Sequence, residues 1–448
     1  MRARKGSGPG EAFVGVHPRQ TSRASKAARV ECVTILLAVG LLLAGCGGRS
    51  PGMSTAPEAD ATVDTVNTSS ALPAATDLVG TTRLGGPLRG LDAAELARFS
   101  AGLADFEDVE TIENGLGPVF NEAACVTCHT APTGGTMGRA ETRFGRTGAG
   151  GFDPLAELGG SLLQDHAIGP VTTPAGSHTF VPEVVPGSAT VTARRITTPL
   201  FGLGLVDAVP DALLLALARL ESHYAPATAG TPNLVTEIRT GATRVGRFGW
   251  KAQVPTLHQF AGDAYVNEMG ITNPEFPTEN APQGDAAALA FNPAPGLNDD
   301  GDGVDNFSDF MTLLGAPPRG PRSVQTEIGA VVFRQIGCAN CHTPTLVTGA
   351  SPVRALSHKA FQPYSDFLLH DMGALGDGIV QGAATGSRMR TAPLWGLSAR
   401  PTYLHDGRAN TPEAAILAHA GQGNDARDRF TRLSTRSRVA LLTFLHSL

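Results

Sequence analysis

Two pentapeptides hold the residue types from which redox chemistry is built: Cys125-Val126-Thr127-Cys128-His129 and Cys338-Ala339-Asn340-Cys341-His342. Each reads C-x-x-C-H, the attachment pattern of c-type haem. Two thiols about one helical turn apart can each form a thioether to the same porphyrin, and the adjacent imidazole then reaches the iron. The alternative use of Cys125, Cys128, Cys338 and Cys341 is one zinc site with four thiolate ligands. That use leaves a histidine idle twice at the same offset. The matched pair therefore favours two covalently bound haem c groups, with His129 and His342 as iron ligands.

The chain has 448 residues and six cysteines. Cys32 lies in a segment with Arg23, Lys26 and Arg29 ahead of an apolar run from Val33 to Leu43, which is too short to span a bilayer. The run ends Leu43-Ala44-Gly45-Cys46, which resembles a bacterial lipobox and implies cleavage before Cys46 and lipidation of its thiol. An ordinary signal peptide with a chance cysteine is the alternative. Cys32, Cys46 and the four haem thiols leave none for disulfides. Haem c is attached outside the cytoplasmic membrane, so the expected location is the periplasmic side of a bacterial membrane, lipid-anchored, with the outer membrane preferred. Residues 1–45 carry seven Lys/Arg against two Asp/Glu, so a chain starting at Cys46 has a net charge of −11 rather than −6. That balance argues against nucleic-acid binding and is compatible with a basic redox partner.

Hydrophobic residues make up 42% and charged residues 17%, as in a globular protein, while 54 Gly and 32 Pro point to long, turn-rich connections. The expected fold is mainly α: two cytochrome c-like haem modules with long irregular loops. The expected organisation is a lipoprotein signal peptide at 1–45, a flexible tether at 46–85, an N-terminal haem module at 86–320 and a C-terminal one at 321–448. Helices are expected from Asp92 on, from Thr326 to Ile336, from Thr411 to Ala420 and from Ser434 to Leu448; the stretch after His129 to about residue 190 reads as irregular. Thr197-Thr198-Pro199-Leu200-Phe201-Gly202-Leu203 and Thr391-Ala392-Pro393-Leu394-Trp395-Gly396-Leu397 are near copies. Each follows a C-x-x-C-H and precedes a helix start, so the modules are related by internal repetition.

Between the modules, Asn298 to Asp309 places side-chain oxygens at Asn298, Asp300, Asp302 and Asp309 with a glycine at the sixth position, close to a calcium-binding EF-hand loop. A solvated acidic turn ahead of a Phe307–Leu314 helix is the alternative.

Several further stretches accompany the two motifs: Gly115 to Cys125, Arg247 to Ala252, Asn267 to Thr272, Tyr364 to Gly373, Arg390 to Leu397 and Tyr403 to Arg408. Together they resemble the dihaem c-type oxidoreductases of the peroxidase family, relatives of the bacterial dihaem cytochrome c peroxidases, over residues 85–448. The resemblance implies an electron-transfer haem in the C-terminal module and a peroxide-cleaving haem in the N-terminal one. It places His419, where the peroxidases have methionine, as the far ligand of the C-terminal iron. It also implies that Gln259 and Glu268 line the N-terminal haem, although they are nine residues apart here and about ten in the peroxidases. Glu268 would act as acid/base, with Asp263 as fallback, and Trp250 would carry electrons between the haems. His370 and His405 take structural or haem-edge roles. Met137, His166 and His178 are available to the N-terminal iron, though each reads more simply as a loop residue. The implied partners are a small redox protein of the cytochrome c or cupredoxin type and a peroxide-like substrate. A non-enzymatic electron carrier and an oxidase of protein or organic substrates are the competing functions. Thiol chemistry, a label sometimes given to this family, has no spare cysteine pair to support it.

Overall fold

The computed structural model describes residues 83–136 and 139–448. The expected signal peptide, Cys46, the tether up to residue 82, and Met137 lie outside the described residues. The body belongs to one compact unit, Ala61–Leu448.

Three helices frame the first C-x-x-C-H. Ala93–Glu107 begins at Asp92, whose carboxylate accepts from the Glu95 N–H while Glu95 accepts from the Asp92 N–H. This reciprocal cap satisfies two amides that the helix cannot. Its face of Phe99, Gly102 and Phe106 packs on Asp302–Leu313, with Phe106 4.7 Å from Phe310. A Cβ on Gly102 would lie 2.2 Å from the Asn306 carbonyl oxygen, so only glycine permits this approach. Leu257–Met269 crosses the second of these helices, Tyr265 standing edge-on to Phe307 at 4.9 Å. Thr256 caps its start and Gly270, at φ 71°, ends it.

The C-terminal core is built on Val324–Gln335, capped by Ser323, and Thr435–His446, capped by Ser434. Phe333, Tyr364 and Phe444 meet edge-on with centroids 5.4 to 5.9 Å apart, surrounded by Val332, Ile336, Leu441 and Leu445. Truncating such a ring to alanine costs about 3–5 kcal/mol. These are the helices expected around the second motif. The helix after Thr411 is shorter than expected, Pro412–Leu417.

Helix outweighs strand, but the sheet content exceeds what was expected. Thirteen short strands lie among the described residues, in six small sheets. The stretch read as irregular contains the largest: Gly151–Asp153, Ala140–Gly148 and Val191–Ile196, all antiparallel. Its period-2 pattern was masked because charged side chains, Glu141, Arg143 and Arg195, occupy inward positions where apolar residues normally mark a strand.

The sequence repeat is a structural one. Gly202 (φ 71°) and Gly396 (φ 65°) both adopt the left-handed conformation ahead of a short helix, and a Cβ on them would collide with Ala316 and Pro317 respectively. Strand bridging between Thr231 and Leu369, and the Arg390 N–H donating to the Trp250 carbonyl at 2.9 Å, tie the two halves together. No helix among the described residues is long and apolar enough to cross a membrane.

Candidate active site: two cavities joined at one tryptophan

The four motif cysteines are free and form no disulfide. Cys125 and Cys128 line one cavity; Cys338 and Cys341 line another. A single zinc site is thereby excluded. Burial pushes Cys125, Cys128 and Cys338 up to about 12, so these are protonated thiols rather than redox-active thiolates. Among the described residues the one cluster with metal-ligand spacing is Cys341, Asp366 and His370. Cys341 belongs to the haem motif, and Asp366 and His370 hydrogen-bond directly to each other at 2.8 Å.

The C-terminal cavity, about 470 Å³, is lined by Cys338, Cys341, His342 and His419. His342 Nδ1 donates to the Tyr364 carbonyl at 3.0 Å, and His419 Nδ1 to the Ala415 carbonyl at 2.8 Å. Each bond fixes the tautomer that leaves Nε2 as the lone-pair nitrogen. Burial lowers both imidazoles, His342 to about 4, so both stay neutral. Arg390 and Arg400 line the same cavity and donate to backbone carbonyls only: Gly249 and Thr391 from Arg390, Pro393 and Trp395 from Arg400. Burial lowers each to about 10. Two buried guanidiniums without carboxylate partners, and two anchored neutral imidazoles, fit a haem with its two carboxylate groups. His405 also lines this cavity, edge-on to Trp250 at 6.2 Å, and His370 is held by Asp366.

The N-terminal cavity is tighter, about 170 Å³. Among the described residues His129 is its one histidine; burial lowers the ring to about 4, outweighing backbone hydrogen bonding at Gly135 and Thr198. A thiol pair beside a neutral imidazole fits a second haem. Met269 lies at the rim of the site, its sulfur 4.0 Å from Cys125 Sγ. Met311 comes from the helix that packs on Phe106, the ring beside His129.

Leu257–Met269 supplies one wall through Ala261, Ala264, Tyr265 and Glu268, spaced as one helical face. Glu268 is half-buried; its Oε2 accepts from Asn121 Nδ2 at 2.7 Å. Burial, with the Glu141 carboxylate beside it, pushes Glu268 up to about 8. Gln259 is not brought to this cavity. Nine residues at about 100° each place it on the opposite face of the same helix. There its Oε1 accepts from the Ile238 N–H at 2.9 Å, and it borders a second, polar cavity of about 330 Å³. Asp263, pushed up to about 6 by burial, lines both cavities. Trp250 lines both motif-bearing cavities and donates from Nε1 to the Ile196 carbonyl at 2.8 Å. Sequence reasoning missed Glu141, Arg143 and Arg195 on the sheet wall; the pairing of strands fifty residues apart leaves no local signal.

His166 and His178 are elsewhere. His166 stacks on Phe120 and pairs with Asp165; His178 stacks on Phe291 at 4.9 Å. The calcium loop is not formed. Asp302 already begins the helix Asp302–Leu313, so Asp302 and Asp309 are about 10 Å apart along a rod and cannot surround one ion. Asp309 pairs with Arg98, and Asn298 accepts from Thr272 while donating to the Ala294 carbonyl at 2.9 Å.

The sequence model of the family described as "Di-haem oxidoreductase, putative peroxidase" matches residues 188–448. No curated protein matches the chain. Among solved structures, hydrazine synthase from Kuenenia stuttgartiensis is similar at 14% identity and a TM-score of 0.35, over 89% of this chain and 100% of that one. The diheme peroxidase BthA from Burkholderia thailandensis is similar at 14% identity and a TM-score of 0.35, over 82% of this chain and 92% of that one. A MauG-like protein associated with microbial copper homeostasis shares 13% identity with a TM-score of 0.34, over 82% and 93%.

Proposed function

This chain belongs to the di-haem oxidoreductase family and is an oxidoreductase, and we propose that it reduces hydrogen peroxide in the N-terminal cavity with electrons relayed from the C-terminal one. The observation that carries this reading is the asymmetry of the two sites. The C-terminal cavity offers two anchored imidazoles, His342 and His419, and among the described residues its one lining carboxylate is the exposed Asp425. The N-terminal cavity offers, among the described residues, one imidazole and a half-buried Glu268 that holds its proton to about pH 8.

Cys125 and Cys128, and Cys338 and Cys341, would attach the two haems; His129 on one side, and His342 with His419 on the other, would hold the irons. Bound haem supplies the redox equivalents and the point at which peroxide is activated. The chain's own residues do the rest. Glu268 gives its proton to the peroxide oxygen that leaves and recovers one from the oxygen that stays. Asn121 fixes the Glu268 carboxyl. Arg390 and Arg400, which line the C-terminal cavity, would offset the carboxylates of a haem held there. Trp250 is the aromatic group common to both cavities and is the electron relay. The electron donor is a small redox protein of the cytochrome c or cupredoxin type. We extend the proposal to export and anchoring through Cys46; Cys46→Ser should release a membrane-bound wild type, and a wild type already free of membranes would end that part.

The deciding experiment is hydrogen peroxide turnover by purified holoprotein with a reduced one-electron donor. Glu268→Gln should retain both haems and their reduction while turnover falls about 10²–10⁴-fold, the usual worth of a positioned acid/base. Full turnover in that variant removes Glu268 from the mechanism.

A further inference from the structure

We propose that Glu141 is a positioning residue that joins Glu268 in a carboxyl pair sharing one proton, so that acid and base are present together before peroxide arrives. The chemical step rests on the peroxide reading above; the pair itself does not.

The placement comes from the sheet that the sequence did not reveal. Ala140–Gly148 pairs with Val191–Ile196 with Glu141 directly opposite Arg195. Glu141 and Arg143 are two apart on a strand and so share a face. Arg143 grips Glu141 with two bonds, Nε to Oε1 at 2.8 Å and Nη2 to Oε2 at 3.1 Å, and Arg195 Nη1 stands 4.0 Å from Oε1. Glu141 and Glu268 line the same cavity of about 170 Å³, close enough for each carboxyl to act on the other. Two carboxylates can bond only if one carries a proton. Burial alone would raise Glu141, but the Arg143 guanidinium, helped by Arg195, more than offsets it and keeps Glu141 anionic. The shared proton therefore resides mainly on Glu268.

The other charged groups around the pair are Arg143 on the same strand, Arg195 on its neighbour, and Asp263 on the helix of Glu268. Glu122 and Arg139 also line the cavity and bond to each other at 3.1 Å. Arg143 and Asp263 border the adjoining polar cavity as well, which gives the pair a route to water.

A singly protonated pair balances the cleavage. The peroxide oxygen that stays gives its proton to the pair. The pair gives its proton to the other oxygen. The O–O bond breaks with its electron pair going to that leaving oxygen, which departs as water, and the pair again holds one proton. Two electrons from the one-electron donor protein and two protons drawn through the polar cavity turn the remaining oxygen into a second water.

The test is pH-dependent infrared difference spectroscopy on holoprotein, wild type, Glu268→Gln and Glu141→Gln. A protonated-carboxyl band, assigned to Glu268 by its absence in Glu268→Gln, should persist in wild type to about pH 8. In Glu141→Gln it should disappear at a pH lower by about one unit or more, because the neighbouring anion is gone. An unmoved band overturns the pairing. If Glu141→Gln does not fold, wild type and Glu268→Gln decide: a Glu268 band lost before about pH 6 overturns it. A second readout is the pH profile of hydrogen peroxide turnover. Its alkaline fall near the Glu268 titration should move to lower pH by about one unit or more in Glu141→Gln, whereas a merely structural role lowers turnover without moving the profile, which would count against the pair. A wild type with no peroxide turnover ends the peroxide reading, and the infrared band still judges the shared proton.

Discussion

Asp377→Asn tests how the wall between the two cavities is held. The Asp377 side chain, 1% exposed, lies between Lys251 Nζ at 2.9 Å and Arg195 Nη2 at 2.7 Å, whose side chains are 0% and 2% exposed. Lys251 follows Trp250 in the chain, and Arg195 lines the N-terminal cavity. Burial lowers Lys251 to about 8 even with Asp377 beside it. Replacing the carboxylate with an amide leaves Lys251 two options: keep an uncompensated buried charge or release its proton. The second is bounded. An ordinary lysine titrates about 3.4 pH units above pH 7, and at about 1.36 kcal/mol per unit its neutralisation costs about 4.6 kcal/mol. Removing one partner of a buried pair costs about 3–5 kcal/mol by mutational precedent. The expected loss is thus about 3–5 kcal/mol, read as the shift in urea midpoint of the holoprotein multiplied by its m-value. Lys251→Met added to Asp377→Asn should recover part of it, since the methionine fills the lysine stem without a charge. The sign with pH follows. Asp377 is held below the ordinary carboxylate value, burial being outweighed by Arg195 and Lys251. Its contribution is present above the unfolded value and lost as pH falls through the folded one, so wild type and variant should converge below about pH 4. A loss under about 1 kcal/mol at pH 7, or a double variant no better than the single, would refute the assignment of Asp377 as the counter-ion of Lys251.

Cys128→Ser and Cys341→Ser should each leave one haem held by a single thioether, seen by mass spectrometry of the denatured protein; two intact double attachments in both variants would contradict c-type attachment. His419→Ala should convert one low-spin haem to high-spin and move its potential, and an unchanged spectrum would remove His419 from the iron and shift attention to His405, which with His370 also lines that cavity. Trp250→Phe should keep both haems bound, because the cavity walls stay apolar, while slowing reduction of the N-terminal haem by the C-terminal one in stopped-flow measurements; equal rates would show that electrons bypass the indole.

What the amino-acid sequence determined by itself is local. The C-x-x-C-H spacing is one helical turn and needs no distant residue to be legible. The helices after Asp92, Ser323 and Ser434 announce themselves through caps and apolar periodicity, and the repeated Pro-Leu-aromatic-Gly stretch marks the same left-handed turn twice. His419 was singled out only through the family resemblance; the structure places it in the C-terminal cavity, just after the short helix Pro412–Leu417. Tertiary structure decided the rest. A nine-residue interval along one helix sends Gln259 and Glu268 to opposite sides, which depends on Leu257–Met269 running unbroken. The calcium pattern failed because the helix starts at Asp302, drawn in by Phe307 and Phe310 packing on Phe106. The wall of Glu141, Arg143 and Arg195 exists only once Ala140–Gly148 finds Val191–Ile196, and the meeting of Glu141 with Glu268 joins residues 127 positions apart. A carboxylate's proton affinity depends on which charges lie within a few ångströms and how much water is excluded. Chain spacing encodes neither, so the charged groups around Glu268 became visible only when the sheet closed on the helix.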